Sequence, residues 1–197
     1  MPERLAAQVI DQLLLAARTQ NKWQDRDVPD HVLRDVFDVL RMGPTSANCS
    51  PARFVFVKSE GAKRRLEPLV SRGNTEKTMT APVTAIIGYD LNFFEHLPHL
   101  FPHNTDAKNW FNGNDDLIEE TAFRNGTLQA AYLIVTARMF GLDVGGMSGF
   151  DNAGVDAEFF SGTTVKSNFL LNIGYGDPRG VFPRSPRFEF DDVAQVI

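Results

Sequence analysis

Three histidines, His96, His99 and His103, fall within eight residues at i, i+3 and i+7, the spacing of one helical face and of a partial metal site. Pro98 and Pro102 argue against a continuous helix there, no cysteine lies near, and no second ligand cluster is present, so the three read as lid or surface histidines. Gly146-Met147-Ser148-Gly149-Phe150 approaches a nucleophile elbow but has Phe150 where G-x-S-x-G needs its last glycine. Cys49, the single cysteine, is either a reactive thiol in a turn or, on the plainer reading, a small buried hydrophobe. The chain has neither G-x-G-x-x-G nor a Walker A sequence, so any nucleotide cofactor is held without a Rossmann or P-loop cradle.

The remaining chemistry is spread over polar residues in short, stiff loops. Gly43 to Pro51 is framed by two prolines and can present Pro44, Thr45, Ser46 and Asn48 at fixed angles, or it is a plain helix-to-strand turn. Arg18-Thr19-Gln20-Asn21 closes the first helix with a cation and three hydrogen-bonding side chains; this is an anion site or a solvated helix end. Asn74 and Lys77 precede a strand, and Arg184 and Arg187 lie on a Pro- and Arg-rich tail. Each set taken alone also fits ordinary surface solvation.

The elements that must position these residues are legible from periodicity. Leu5, Val9, Ile10, Leu13, Leu14 and Ala17 recur at helical spacing. Asp30 is placed to cap a second helix with Leu33, Val36, Phe37 and Leu40 inward, ending at Gly43-Pro44. Strands are expected over 54–57, 83–89 and 168–175, and a helix over 61–70 with Leu66 and Leu69 inward. The longest helix starts at Asp115 or Asp116 and runs to about Phe140, with Leu128, Ala131, Tyr132, Val135 and Met139 on its apolar side. Residues 91–114 are irregular and aromatic-rich, either a lid or an interface. The segment after Asp177 reads as an extended arm. Three strands make a narrow sheet for so much helix, which a dimer sharing its core would resolve.

Composition bounds the partners. The chain has 197 residues, 43% hydrophobic and 23% charged, which suits one globular domain and excludes disorder and collagen-like architecture. Twenty Lys+Arg against 25 Asp+Glu give a net charge of -5, which disfavours extended binding to a nucleic-acid backbone. No apolar run reaches membrane-spanning length, the N-terminal segment is amphipathic rather than a secretory signal, and one cysteine fits a reducing cytosol; a cytoplasmic protein is expected.

Four ordered motifs join the pieces: Gly43-Pro-Thr-Ser-Ala-Asn-Cys-Ser-Pro51, Glu120-Thr-Ala-Phe-Arg-Asn125, Met147-Ser-Gly-Phe-Asp151, and Lys166-Ser-Asn168 followed by Asn172-Ile-Gly-Tyr-Gly-Asp177. Over nearly its whole length the chain resembles the nitroreductase family of FMN-dependent oxidoreductases, most closely its malonic semialdehyde reductase subgroup. The resemblance implies an α+β fold with a central, mostly antiparallel sheet flanked by helices. It also implies an intertwined homodimer with C-terminal arms and two FMN sites at its interface.

By the same resemblance, Arg18 and Thr19 match the phosphate-contacting N-terminal motif, with Asn21 where many members carry a cation. Pro44, Thr45, Ser46 and Asn48 match the loop that lines the flavin from the partner, and Asn74 and Lys77 a pair near its pyrimidine edge. Met147, Ser148 and Gly149 match the loop at the reactive edge, and Arg184 and Arg187 a basic pair that grips the phosphate. Ser50 and Ala52 depart from the Gln and Trp of common members, and Ala17 replaces the usual first Arg of the N-terminal motif.

These roles agree with the residue chemistry. Guanidinium groups suit a dianionic phosphate. A cation such as Lys77 favours the negative charge that reduction places on the flavin N1/O2 edge. NADH or NADPH would deliver hydride to N5 and leave before the acceptor enters, a ping-pong sequence that needs no protein nucleophile and no metal.

The expected acceptor is a small aldehyde such as malonic semialdehyde, with nitroaromatics or quinones as the alternative and a non-catalytic flavin carrier as a further one. Arg124 or Lys166 would neutralise a substrate carboxylate. Trp110 and Phe111 would face the substrate if 91–114 is a lid.

Overall fold

A computed structural model describes residues 3–197. Its elements in chain order are α1 (Ala7–Ile10, continued by a π-helical turn over Asp11–Leu15), α2 (Asp30–Leu40), β1 (Ala52–Val57), α3 (Glu60–Leu66), α4 (Arg72–Thr80), β2 (Val83–Asp90), α5 (Leu97–Leu100), α6 (Asp115–Met139), β3 (Asp143–Met147), α7 (Asn152–Phe159), β4 (Val165–Gly174) and α8 (Phe190–Val193). The four strands pair in the order β1-β2-β4-β3, antiparallel throughout. The architecture is α+β, as expected, with one strand more than the sequence suggested.

Every residue of β2 is buried, as a central strand covered on both faces requires. Val83, Ala85 and Ile87 point to one side, where α2 contributes Leu33, Val36 and Leu40 and α6 contributes Ala130, Leu133 and Ala137. Ile86 points to the other, against Leu66, Val70, Val155 and Phe160. Each fully buried Leu or Ile adds roughly 1.5–3 kcal/mol.

Several expectations need correction. α6 buries Ala122, Asn125, Gly126, Gln129, Ala130, Leu133 and Ala137, whereas Leu128, Ala131 and Met139 of the expected stripe are exposed. The inward face is made of small residues because the helix lies close on the sheet; a Cβ at Gly126 would press on Tyr89. On the first helix only Leu13 is buried, and Leu5, Val9, Leu14 and Leu15 stay exposed because no other described residue covers them. Asp30 is the first helical residue rather than the cap, and its carboxylate accepts from Lys58 Nζ at 2.8 Å.

Residues 91–114 are short helical turns around a small core of Phe93, Leu97, Ala107 and Phe111, which also takes in Cys49, Tyr89 and Ala122. Pro98 sits in the first turn of α5, where its missing N–H costs nothing. The three histidines lie on these turns. Among the described residues, no three His, Cys, Asp or Glu side chains are placed to hold a metal.

Candidate functional site

Four arginines from three distant stretches converge on one groove of about 740 Å³, whose lining includes Arg18, Thr19, Asn21, Arg138, Arg184 and Arg187. Arg18 donates through Nη2 to Phe182 O, and Arg184 through Nη2 to Leu15 O and, at 3.2 Å, to Ala17 O. These bonds clamp the arm onto the N-terminal segment. Arg138 donates to Leu13 O at 2.8 Å, and its burial lowers its pKa. Arg187 bonds only the carbonyls of Ser185 and Pro186 beside it. No carboxylate lines the groove among the described residues, so its lining charges are all positive; Asp143 acts on Arg138 from outside it.

A second recess of about 490 Å³ continues from the first through Asn21 and Phe182 and adds Lys22, Gly73, Glu76, Lys77, Arg179 and Gly180. Asn21 spans the junction, its Nδ2 donating to Gly180 O at 3.4 Å. α4 delivers Lys77, whose pKa desolvation pushes down. The same helix delivers Asn74, whose Nδ2 donates to Gly149 O at 3.0 Å. Ser71 N donates to the same carbonyl at 3.0 Å, so α4 and the loop after β3 form one unit. Ser148 is exposed on that loop, while the Met147 side chain turns into the core and its Sδ accepts from Thr78 Oγ1 at 3.3 Å. Arg18, Thr19, Asn21, Lys77, Arg184 and Arg187 thus line one continuous surface, with Asn74 and Gly149 bonded behind it.

Gln20 is buried between Gly145 and Gly176, and its Oε1 has no hydrogen-bond partner. Neither it nor Arg138 was singled out from the sequence. A lone Arg near a helix end carries no motif; only the convergence with Arg18 and Arg184 gives it meaning.

The Gly43–Pro51 loop lies elsewhere. It leads into Ala52 of β1, which pairs with Tyr89 near the end of β2, whereas α4 feeds the start of β2 at Val83. The seven steps between Val83 and Asp90 are about 23 Å long. β1 and β3 are also opposite edges of the sheet. One chain therefore does not bring Thr45, Ser46 and Asn48 to the arginine groove.

The loop is nevertheless held in an unusual shape. Ala47, Asn48 and Ser50 have φ of 49°, 52° and 40°, the left-handed region that non-glycine residues avoid. Three side chains of α6 fix it: Asn125 Oδ1 accepts from Ser46 N at 2.9 Å, Gln129 Oε1 from Ala52 N at 2.9 Å, and Tyr132 OH donates to Pro44 O at 2.9 Å. Gly43 gives the Tyr132 ring its seat, since a Cβ there would enter the ring. Asn48 Nδ2 donates to Leu100 O at 2.7 Å and Thr45 Oγ1 accepts from Ser50 N at 3.1 Å.

The sequence pattern of the Nitroreductase family matches residues 2–175. The chain belongs to the nitroreductase family. A Burkholderia lata protein, named provisionally as an NADH dehydrogenase/NAD(P)H nitroreductase, is 63% identical over 192 residues, 98% of each chain. A Stenotrophomonas maltophilia protein with the same provisional name is 58% identical over 196 residues, the whole of both. Among solved structures, a provisionally named nitroreductase of Exiguobacterium sibiricum in complex with FMN superposes with a TM-score of 0.86 at 18% identity, covering all of both chains. Within this nitroreductase-family fold, the four expected substrate residues are placed as follows. Phe111 is buried in the small core, 4.9 Å edge-on from Phe93, and does not face an open surface; Trp110 beside it is half exposed. Arg124 is paired with Glu120 on the exposed side of α6, and Lys166 lies 3.9 Å from Asp156.

Proposed function

We propose that this chain is an FMN-dependent NAD(P)H oxidoreductase whose two FMN sites are each built by two copies of it, acting in the cytoplasm on a small aldehyde such as malonic semialdehyde. The observation that carries the cofactor assignment is the groove of Arg18, Arg138, Arg184 and Arg187 without a lining carboxylate. That donor set suits a phosphate dianion. The continuous recess leads from it to Lys77.

When bound, FMN supplies the redox chemistry, a hydride acceptor that NAD(P)H fills and the second substrate empties in ping-pong alternation. The chain's own residues bind and orient. Arg18, Arg184 and Arg187 hold the phosphate end, with Arg138 reinforcing the positive field. Lys77 sets a partly desolvated ammonium at the far end of the recess, where it favours negative charge on the ligand's edge. Asn74 and Gly149 fix the distance between α4 and the loop after β3. The Thr45–Asn48 segment, too far from its own groove, is presented to that of a partner protomer.

The aldehyde reading follows the sequence motifs, and the names of the similar proteins favour nitro compounds as the second reading. Arg124 and Lys166 are already engaged with Glu120 and Asp156, so a substrate carboxylate has to compete with those acids for either cation. The test is anaerobic mixing of FMN-loaded protein with NADH or NADPH, followed by malonic semialdehyde or a nitrofuran. Bleaching by the nucleotide and faster reoxidation by the aldehyde are expected. No bleaching overturns the oxidoreductase reading, and a large preference for the nitrofuran overturns the aldehyde.

A further inference from the structure

Lys63 on α3 is only 4% exposed. Its Nζ donates to Thr78 O and to Thr84 Oγ1, both at 2.7 Å, and both residues are fully buried. Among the described residues no carboxylate pairs with it, and burial pushes its pKa down to about 8, so it is charged at neutral pH. Burying an unpaired ammonium is costly, and a methionine would fill the same space without that cost.

The hydrogen bonds continue in one direction. Thr84 Oγ1 donates to Asn172 Oδ1 at 2.7 Å, and Asn172 Nδ2 donates to Lys77 O at 3.0 Å. Trp23 Nε1 donates to the same carbonyl at 3.0 Å. Lys77 and Thr78 belong to the last turn of α4, whose carbonyls have no intrahelical donors. Three side chains from α3, β4 and the N-terminal segment therefore close the end of this helix, and one of them brings the cation that a helix C-terminus favours. The same turn carries Lys77 into the recess.

We propose that Lys63 is a positioning residue of the redox site: it locks the last turn of α4, so that Asn74 and Lys77 keep their places, and it holds a second positive charge behind Lys77. The inference rests on the flavin reading above. A buried cation on that side favours the more negative, reduced form of the bound ligand and so raises its reduction potential.

The test compares wild type with K63M, K63R and N172L. Dye-equilibrated anaerobic titration reads the midpoint potential of bound FMN, and fluorescence titration reads its Kd, neither of which depends on turnover. K63M is expected to lower the potential and weaken FMN binding several-fold, and K63R to restore the potential. N172L keeps the charge but breaks the bond to Lys77 O, so it weakens FMN binding without the K63M shift.

A K63M protein with the wild-type potential, or a K63R protein shifted as far as K63M, overturns the role of the charge. Unchanged FMN affinity in N172L overturns the role of the relay, and this variant with K63R decides the matter if K63M does not fold. Wild-type protein that binds no FMN contradicts the flavin reading itself. Wild-type binding with indifferent variants contradicts this proposal alone.

Discussion

Arg184 spends its guanidinium on two backbone carbonyls of the N-terminal segment and still lines the groove, so it both builds the proposed phosphate site and would serve it. A charge-assisted hydrogen bond adds about 1.5–3 kcal/mol, so R184A should weaken FMN binding roughly 10- to 100-fold, and R138A by a smaller factor in the same direction; fluorescence titration measures both. An R184A protein with wild-type affinity contradicts the assignment. Lys63 gives a second residue-level prediction. Its folded pKa of about 8 lies below the ordinary lysine value of 10.5, so between these the unfolded chain binds more protons and stability rises with pH. Wild type should gain on K63M by about 3 kcal/mol across that window, read by denaturant melts at several pH values. Arg18, Arg184 and Arg187 were named from the sequence through the family resemblance, and the structure places them on one groove. Arg138, Gln20 and Lys63 were not named, because what distinguishes them is tertiary: convergence, a missing partner, and burial without a counter-charge.

At the scale of elements, strong periodicity was readable and weak periodicity was not. α2 shows Leu33, Val36 and Leu40 at helical spacing and buries them as expected, whereas Phe37, also expected inward, is exposed. α4, Arg-Gly-Asn-Thr-Glu-Lys-Thr-Met-Thr, is polar on nearly every face and so reads as a loop. β3 contains Gly145-Gly146 and little side chain to alternate, although β4 supplies its full ladder. The inward stripe of α6 was misread because its small and amide residues are chosen for approach and for bracing the Gly43–Pro51 loop. N125A should therefore leave the helix intact but release the Ser46 N–H, lowering FMN affinity with a loss of stability of about 1–3 kcal/mol from the unsatisfied donor; calorimetry with FMN titration checks it. In the 91–114 cap, W110A should alter acceptor selectivity at constant FMN content. F111A should instead destabilise the fold by about 3–5 kcal/mol through the cavity it leaves between Phe93 and Phe94. Steady-state assays with two acceptors and thermal melts separate the pair.

For the whole molecule, the decisive feature is what one chain leaves uncovered. Phe37, Val39 and Met42 around α2, Phe123, Leu128 and Met139 on α6, and Phe182, Phe188 and Phe190 on the arm are all exposed. Apolar surface on this scale marks an interface. The expected apolar side of α6 is real as a sequence pattern, and one chain leaves it exposed, as the proposed dimer requires. The same reasoning explains why the strained loop and the arginine groove are both complete yet apart.

Co-expressed mixed dimers of N48A and R184A protomers test this joint construction most directly. Each variant homodimer has both sites damaged, whereas the mixed dimer pairs one intact loop with one intact groove. The account predicts that the mixed dimer recovers one FMN site of wild-type affinity per dimer. A mixed dimer with no tight site, or a folded wild-type monomer that binds FMN as well as the dimer, contradicts it.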